Sequence, residues 1–160
     1  MEKGIRFEVD VEKLMANKDK VSEKYLKDPN LLLPTRATKG SAGYDLRYPY
    51  NRATVFDVHQ SILLDSFVKI ILPEGYVANM YVRSSIGIKK GLVLSNGTGI
   101  IDSDFRDSIK IPLINISDKS TYLLNGDDVR IAQIVISKYE TIDYDNVETK
   151  RNGGIGSTDK

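Results

Sequence analysis

Residues 68–72 (VKIIL), a turn signal at 73–75 (PEG) and residues 76–82 (YVANMYV) place two β-rich runs within fifteen positions. The same grammar recurs at 109–116 (IKIPLINI) and 129–136 (VRIAQIVI), and Ile5, Phe7 and Val9 alternate with polar residues. Runs this short and regularly punctuated predict an all-β chain, a sandwich or barrel-like jelly roll. Between Val11 and Leu26 the apolar positions Val11, Leu14, Met15, Val21 and Tyr25 follow helical spacing among lysines and glutamates. That stretch reads as a short N-terminal surface helix, ended by the DPN cluster at 28–30.

With 160 residues, the chain suits one compact domain. Its 23 basic and 22 acidic side chains leave a net charge of +1, without the basic excess of a general nucleic-acid binder. Absence of cysteine excludes disulfides, thiolate catalysis and Cys-based zinc sites. His59 is the only histidine, and no strained serine elbow accompanies it for a hydrolase triad. A charged N-terminus and the lack of long apolar runs lead to the expectation of a soluble cytoplasmic protein with no membrane contact. After Tyr139 the chain turns polar, and its glycine-rich close, 151–160 (RNGGIGSTDK), predicts a flexible arm rather than core.

Five segments carry chemistry-bearing residues. In 42–47 (AGYDLR), Asp45 reads as the holder of a metal-bound water or as a turn-capping aspartate. Arg83, Ser84, Ser85 and Gly87, with Lys89 and Lys90 behind them, read as an oxyanion cradle or as an exposed polar loop. In 96–106 (NGTGIIDSDFR), glycines around Thr98 predict a tight hairpin whose backbone pairs with the edge of a flat ligand. Asp102 suits a general base there, or a structural hairpin aspartate, and Phe105 offers an apolar face to a sugar. Gln133 is the lone polar side chain among Ile131, Ala132, Ile134 and Val135, and needs a backbone or ligand partner. The arm supplies Arg151, Ser157 and Thr158, all suited to phosphate.

The order and spacing of these segments, from residue 33 to Thr158, resemble the five motifs of the trimeric dUTPase family. That resemblance implies a distorted jelly-roll β-barrel, residues 1–145, assembled as a homotrimer, with a flexible C-terminal arm, 146–160, closing a neighbouring subunit's site. It implies Mg²⁺-dependent hydrolysis of dUTP to dUMP and pyrophosphate, limiting uracil in DNA and supplying dUMP. Asp102 would activate the water that attacks the α-phosphorus. Asn96, Gly99, Ile100 and Ile101 would read uracil, and Phe105 would pack on the deoxyribose. Arg83, Ser84, Ser85, Gly87 and Gln133 would hold the phosphates, joined from the arm by Arg151, Gly156, Ser157 and Thr158. Lys110 is named with them as a substrate contact, and Asp45 would reach Mg²⁺ through water.

Departures from the family pattern are visible. Phe105 replaces a tyrosine, and Ile155 stands where a phenylalanine commonly stacks on uracil. Arg151 lies one position nearer the double glycine than usual, Asp107 and Asp159 replace glycines, and 11–30 looks like an insertion. Two rivals are weighed. A dCTP deaminase of the same fold needs a glutamate where Pro112 aligns; a binding or regulatory module of this fold is the other, although a purely structural relic would have no need of Arg83, Ser84, Asp102 and Gln133 together.

Overall fold

The computed structural model describes residues 4–126 and 128–156. In chain order it contains β1 (Arg6–Val9), α1 (Val11–Ala16), α2 (Glu23–Lys27), β2 (Tyr44–Arg47), β3 (Thr54–Phe56), β4 (Ser61–Asp65) and β5 (Val68–Ile71). Then follow β6 (Tyr76–Val82), α3 (Ser84–Lys90), β7 (Leu92–Leu94), β8 (Gly99–Ile101), β9 (Lys110–Asn115), β10 (Thr121–Leu123) and β11 (Arg130–Lys138). The strands pair antiparallel as β2-β11-β6-β8, β4-β9-β7, β1-β5 and β3-β10. This is a jelly-roll type of β fold, although its ladders form four separate sheets rather than one closed barrel.

Alternation decides which face of each strand is buried. On β9, Ile111, Leu113 and Asn115 turn inward while Lys110, Pro112 and Ile114 are less buried. Pro112 is tolerated in this middle strand because β7 pairs only with residues 113–115. Its carbonyl accepts from Ser95 N at 2.8 Å just past the end of β7, so its missing N–H breaks no ladder bond. Inward residues of the larger sheet, Leu46, Ala78, Met80, Ile131 and Ile134, join Phe56, Ile111 and Leu113 in the core.

The N-terminal stretch differs from the single surface helix expected of it. It forms two short helices, because Asn17 caps the first and Val21 is pinned in a β-bridge to Tyr50. Two further backbone bonds hold the crossing: Ser22 N to Pro49 O and Asn51 N to Lys20 O, both 2.9 Å. Leu14, Val21 and Tyr25 are buried in the core, so this segment packs as part of the domain. Asp10 caps α1, accepting from Lys13 N at 3.2 Å, and pairs with Lys69 at 2.9 Å. α1 is therefore anchored at its start by β5 and along its length by Leu14.

Beyond Lys138 no strand or helix forms among the described residues. No helix of the described residues is long and apolar enough to cross a membrane.

Candidate active site

The candidate residues gather in two groups on the larger sheet. At one end, β2 and β6 flank β11 so that Gln133 lies opposite both Asp45 and Tyr81. Arg83 follows directly on β6, its N–H bonded to Ile131 O at 3.1 Å. The buried Asp45 carboxylate meets Arg83 Nε at 3.3 Å and Arg130 at 3.1 Å. Gly43 leaves room for Gln133 beside them, since a Cβ there would stand 2.2 Å from Gln133 Oε1 and displace that side chain.

The segment after Arg83, read as an oxyanion cradle or an exposed polar loop, is the helix α3. Gly91, at φ 64°, ends it in the left-handed conformation, and Lys89 and Lys90 in the last turn complement the helix dipole. Ile86 anchors the helix in the core. Ser84 and Ser85 thus sit in the first helical turn, directly after Arg83.

Arg130 also pairs with Asp128 at 3.0 Å, and Asp128 with Arg47 at 2.7 Å, so three guanidiniums share two carboxylates and the locus is net positive, suited to phosphate. Among the described residues, no three His, Asp or Glu side chains gather to hold a metal. Both Asp45 oxygens are engaged by guanidiniums, so the donor set fits Mg²⁺ only as an ion that keeps its own hydration shell.

The second group lines a cavity of about 430 Å³. Asn96, Gly99, Ile100, Ile101, Asp102, Phe105 and Lys110 form its wall, and Arg151, Ile155 and Gly156 of the arm close it. The expected hairpin is corrected here: β7 pairs with β9 and β8 with β6, so the turn at 95–98 crosses between two sheets. β8 is consequently an edge strand, with one row of backbone groups facing outward. Gly99 lies flat on Met80, where an added Cβ would come within 2.8 Å of Met80 Cε.

Asp102 follows β8 and its side chain is about half exposed. Arg151 ion-pairs with it, bonds Asp104 at 2.9 Å, and stacks 5.7 Å over the Phe105 ring. The arm expected to close a neighbour's site thus lies, in the single chain, on its own Asp102 cavity. Ser157 and Thr158, the remaining arm residues of the site, lie outside the described residues.

Within one chain the two groups stay apart. Ile101, just before Asp102, is opposite Ala78, and Arg83 lies five residues further along β6. At about 3.3 Å per residue, that separates them by roughly 17 Å.

Two charged residues beside the cavity, Lys13 and Asp65, carry no mark in the sequence; they join Lys110 and Asp107 in one ion-pair network. Lys110 pairs with Asp65 at 2.7 Å and with Asp107 at 3.6 Å, and donates to Ser108 Oγ at 2.8 Å. Lys13, from α1, pairs with Asp107, reaches Asp65 at 3.8 Å and donates to Ser108 Oγ at 3.0 Å. Burial alone would raise the Asp107 pKa. Hydrogen bonds from Lys13 and Ser108 N, with the charges of Lys110 and Lys13, outweigh it and hold the pKa at about 2.

A carboxyl depressed on folding contributes stability above its unfolded pKa, near 3.8, and loses it as pH falls through about 2. Asp107→Asn should therefore flatten the acid limb of the urea-midpoint curve between those values. The difference should shrink at high salt, because the pair is partly exposed. Parallel acid limbs for the two proteins would show that Asp107 contributes nothing there.

A family model described as dUTPase matches residues 30–159. The deoxyuridine 5'-triphosphate nucleotidohydrolase of Finegoldia magna is 40% identical over 141 residues, covering 84% of this chain and 96% of its own. The solved dUTPase of Streptococcus mutans superposes with a TM-score of 0.66 at 30% identity, covering 86% of this chain and 98% of its own. The dUTPase of phage phi11 of S. aureus, solved as a mutant with a coordinated structural Mg(II) ion, is alike in fold. Its TM-score is 0.64 at 21% identity, over 92% of this chain and 98% of that one.

Proposed function

Because the chain belongs to the dUTPase family, we propose that it hydrolyses dUTP to dUMP and pyrophosphate with Asp102 as the general base. The observation that carries this reading is the shared cavity: the residues expected to read uracil and deoxyribose line it together with Asp102. Asp102 would take a proton from water as its oxygen bonds to the α-phosphorus. The bond from that phosphorus to the oxygen bridging the β-phosphorus breaks, and pyrophosphate leaves. The outward edge of β8 offers backbone groups to a flat base, and Phe105 offers its ring to the sugar.

Arg83, Ser84, Ser85, Gly87 and Gln133 would bind the leaving phosphates. Arg83, five residues along β6 from the position opposite Asp102's strand end, stands roughly 17 Å from it in the same chain, which supports a site shared between copies. Each complete site would join the Asp102 cavity of one copy to the arginine–serine helix of another, as in a homotrimer. Ile88 and Ile100, 84% and 69% exposed, supply apolar surface for such an assembly. When bound, Mg²⁺ would neutralise phosphate charge, with Asp45 held to it through water. A chain without cysteine suits the reducing cytoplasm in which a deoxynucleotide pool is kept.

Pyrophosphate release from dUTP, dCTP, dTTP and UTP, with and without Mg²⁺, tests this reading. The expected result is fast release from dUTP alone, abolished by EDTA. Binding of dUTP without release would make the protein a nucleotide-binding module, and release from dCTP at the same rate would remove the uracil assignment.

A further inference from the structure

The N-terminal helices lie outside the span matched by the dUTPase family model, yet α1 delivers a charge to the loop that carries Asp102. We propose that Lys13 is a positioning residue for the reaction: through Asp107 and Ser108 it braces the loop 102–109 and the surface on which the arm rests. The inference rests on the dUTPase reading, and it adds a residue to that site from a segment that lines no part of the Asp102 cavity.

α1 is a rigid platform, fixed by the Asp10 cap, the Asp10–Lys69 pair and the fully buried Leu14. From it, the Lys13 ammonium reaches Asp107 and Ser108 Oγ, 94 and 95 positions away in sequence.

Asp107 and Ser108 are in turn the rear wall of the catalytic loop. Ser108 is fully buried, and its N–H bonds the Asp107 carboxylate at 2.7 Å. Ile109, next in line, is locked to β5 through Val68 O at 2.8 Å, and Ser66 N bonds Ile109 O at 3.1 Å. At the front of the loop, Phe105 N closes a turn onto Asp102 O at 3.1 Å. The segment from Asp102 to Ile109 is thus short and held at both ends, so a displaced Asp107 moves Asp102 and Phe105 with it.

The arm meets the same carboxylate. A Cβ on Gly154 would stand 3.3 Å from Asp107 Oδ2, so the arm's backbone passes directly over it. Asp107 is touched by the N-terminal insertion, by the Lys110 side chain that lines the cavity, and by the arm. Lys110 and Asp65 complete an alternating set of two cations and two carboxylates, in which removal of one member leaves the others mispaired.

The test is a double-mutant cycle on the full-length assembled protein: wild type, Lys13→Met, Asp107→Asn and the double variant, with Lys13→Arg as rescue. Small displacements of a catalytic group are costly, so each single substitution should lower kcat for dUTP by about tenfold or more, with KM little changed. The double variant should be no worse than the single ones, and Lys13→Arg should recover most of the rate. Additive losses, or full kcat in Lys13→Met despite a lower Tm, would make the contact merely structural and overturn the proposal.

Amide hydrogen exchange supplies a readout independent of turnover. Lys13→Met should raise exchange at 102–109 and leave β6 unchanged; equal protection in both proteins overturns the brace by itself. If Lys13→Met does not fold, Asp107→Asn carries the same two readouts. Wild-type protein that releases no pyrophosphate would overturn the dUTPase reading and the catalytic half of this one, whereas active wild type with an indifferent Lys13 overturns this inference alone.

Discussion

Asp102→Asn should lower kcat for dUTP by about 10²–10⁴-fold, the usual contribution of a positioned general base, while nucleotide binding persists. The substitution is nearly isosteric, and the Asp102 side chain is half exposed with Arg151 as its charged partner, so the fold does not depend on its charge. What the amide loses is the ability to accept a proton from water. Loss of the Arg151 pair is a separate effect, and Asp104→Asn isolates it, because Asp104 shares the same guanidinium at 2.9 Å. Single-turnover rates and analogue binding should be measured for both variants. A large fall in Asp102→Asn with a small one in Asp104→Asn supports the base. Near-normal turnover in Asp102→Asn, or equal losses in both, would remove the general-base role.

How much of this site could be read from the chain varies with the range of the forces involved. Strand alternation is local, and the runs at 5–9, 68–72, 76–82, 109–116 and 129–136 each contain a strand. Partner choice is not local. Two glycines around Thr98 suggested a hairpin, but packing sends β7 to β9 and β8 to β6. The helix α3 had a readable end, with Lys89 and Lys90 in the last turn before Gly91, and Gly87 within it obscured that signal. Arg130 escaped notice because simple alternation does not survive the irregularity between Arg130 and Ala132, where the register with β2 shifts and both guanidiniums reach Asp45. Lys13 had no signal at all: its partner is 94 residues away. The helical spacing of 11–26 was legible, but its break at Asn17 is enforced by the Val21–Tyr50 bridge, a tertiary contact.

Deleting residues 151–160 should leave a folded, assembled protein and reduce kcat/KM for dUTP by about 10²-fold or more, the scale on which closing segments contribute by orienting substrate and excluding water. Two effects oppose one another. In the structure Arg151 occupies Asp102 and covers Phe105, so its removal frees the carboxylate and opens the cavity. The triphosphate, with its greater negative charge, would compete for the same guanidinium, drawing Arg151 onto phosphate and releasing Asp102 just as substrate arrives. Losing that exchange leaves the base uncovered and the phosphates held from one side only. The stretch 140–150, eleven residues without strand or helix after β11, can span up to roughly 36–40 Å when extended, enough to serve either its own cavity or a neighbour's. Mixing arm-deleted chains with Asp102→Asn chains distinguishes the two. If arms act between copies, mixed assemblies contain sites with an intact base and a donated arm, and activity rises above that of either parent. If the arm serves only its own chain, no complete site forms and activity stays at the parental level. An arm-deleted protein more active than wild type would instead make the Arg151–Asp102 pair an inhibitory contact, and loss of assembly on deletion would make the arm structural.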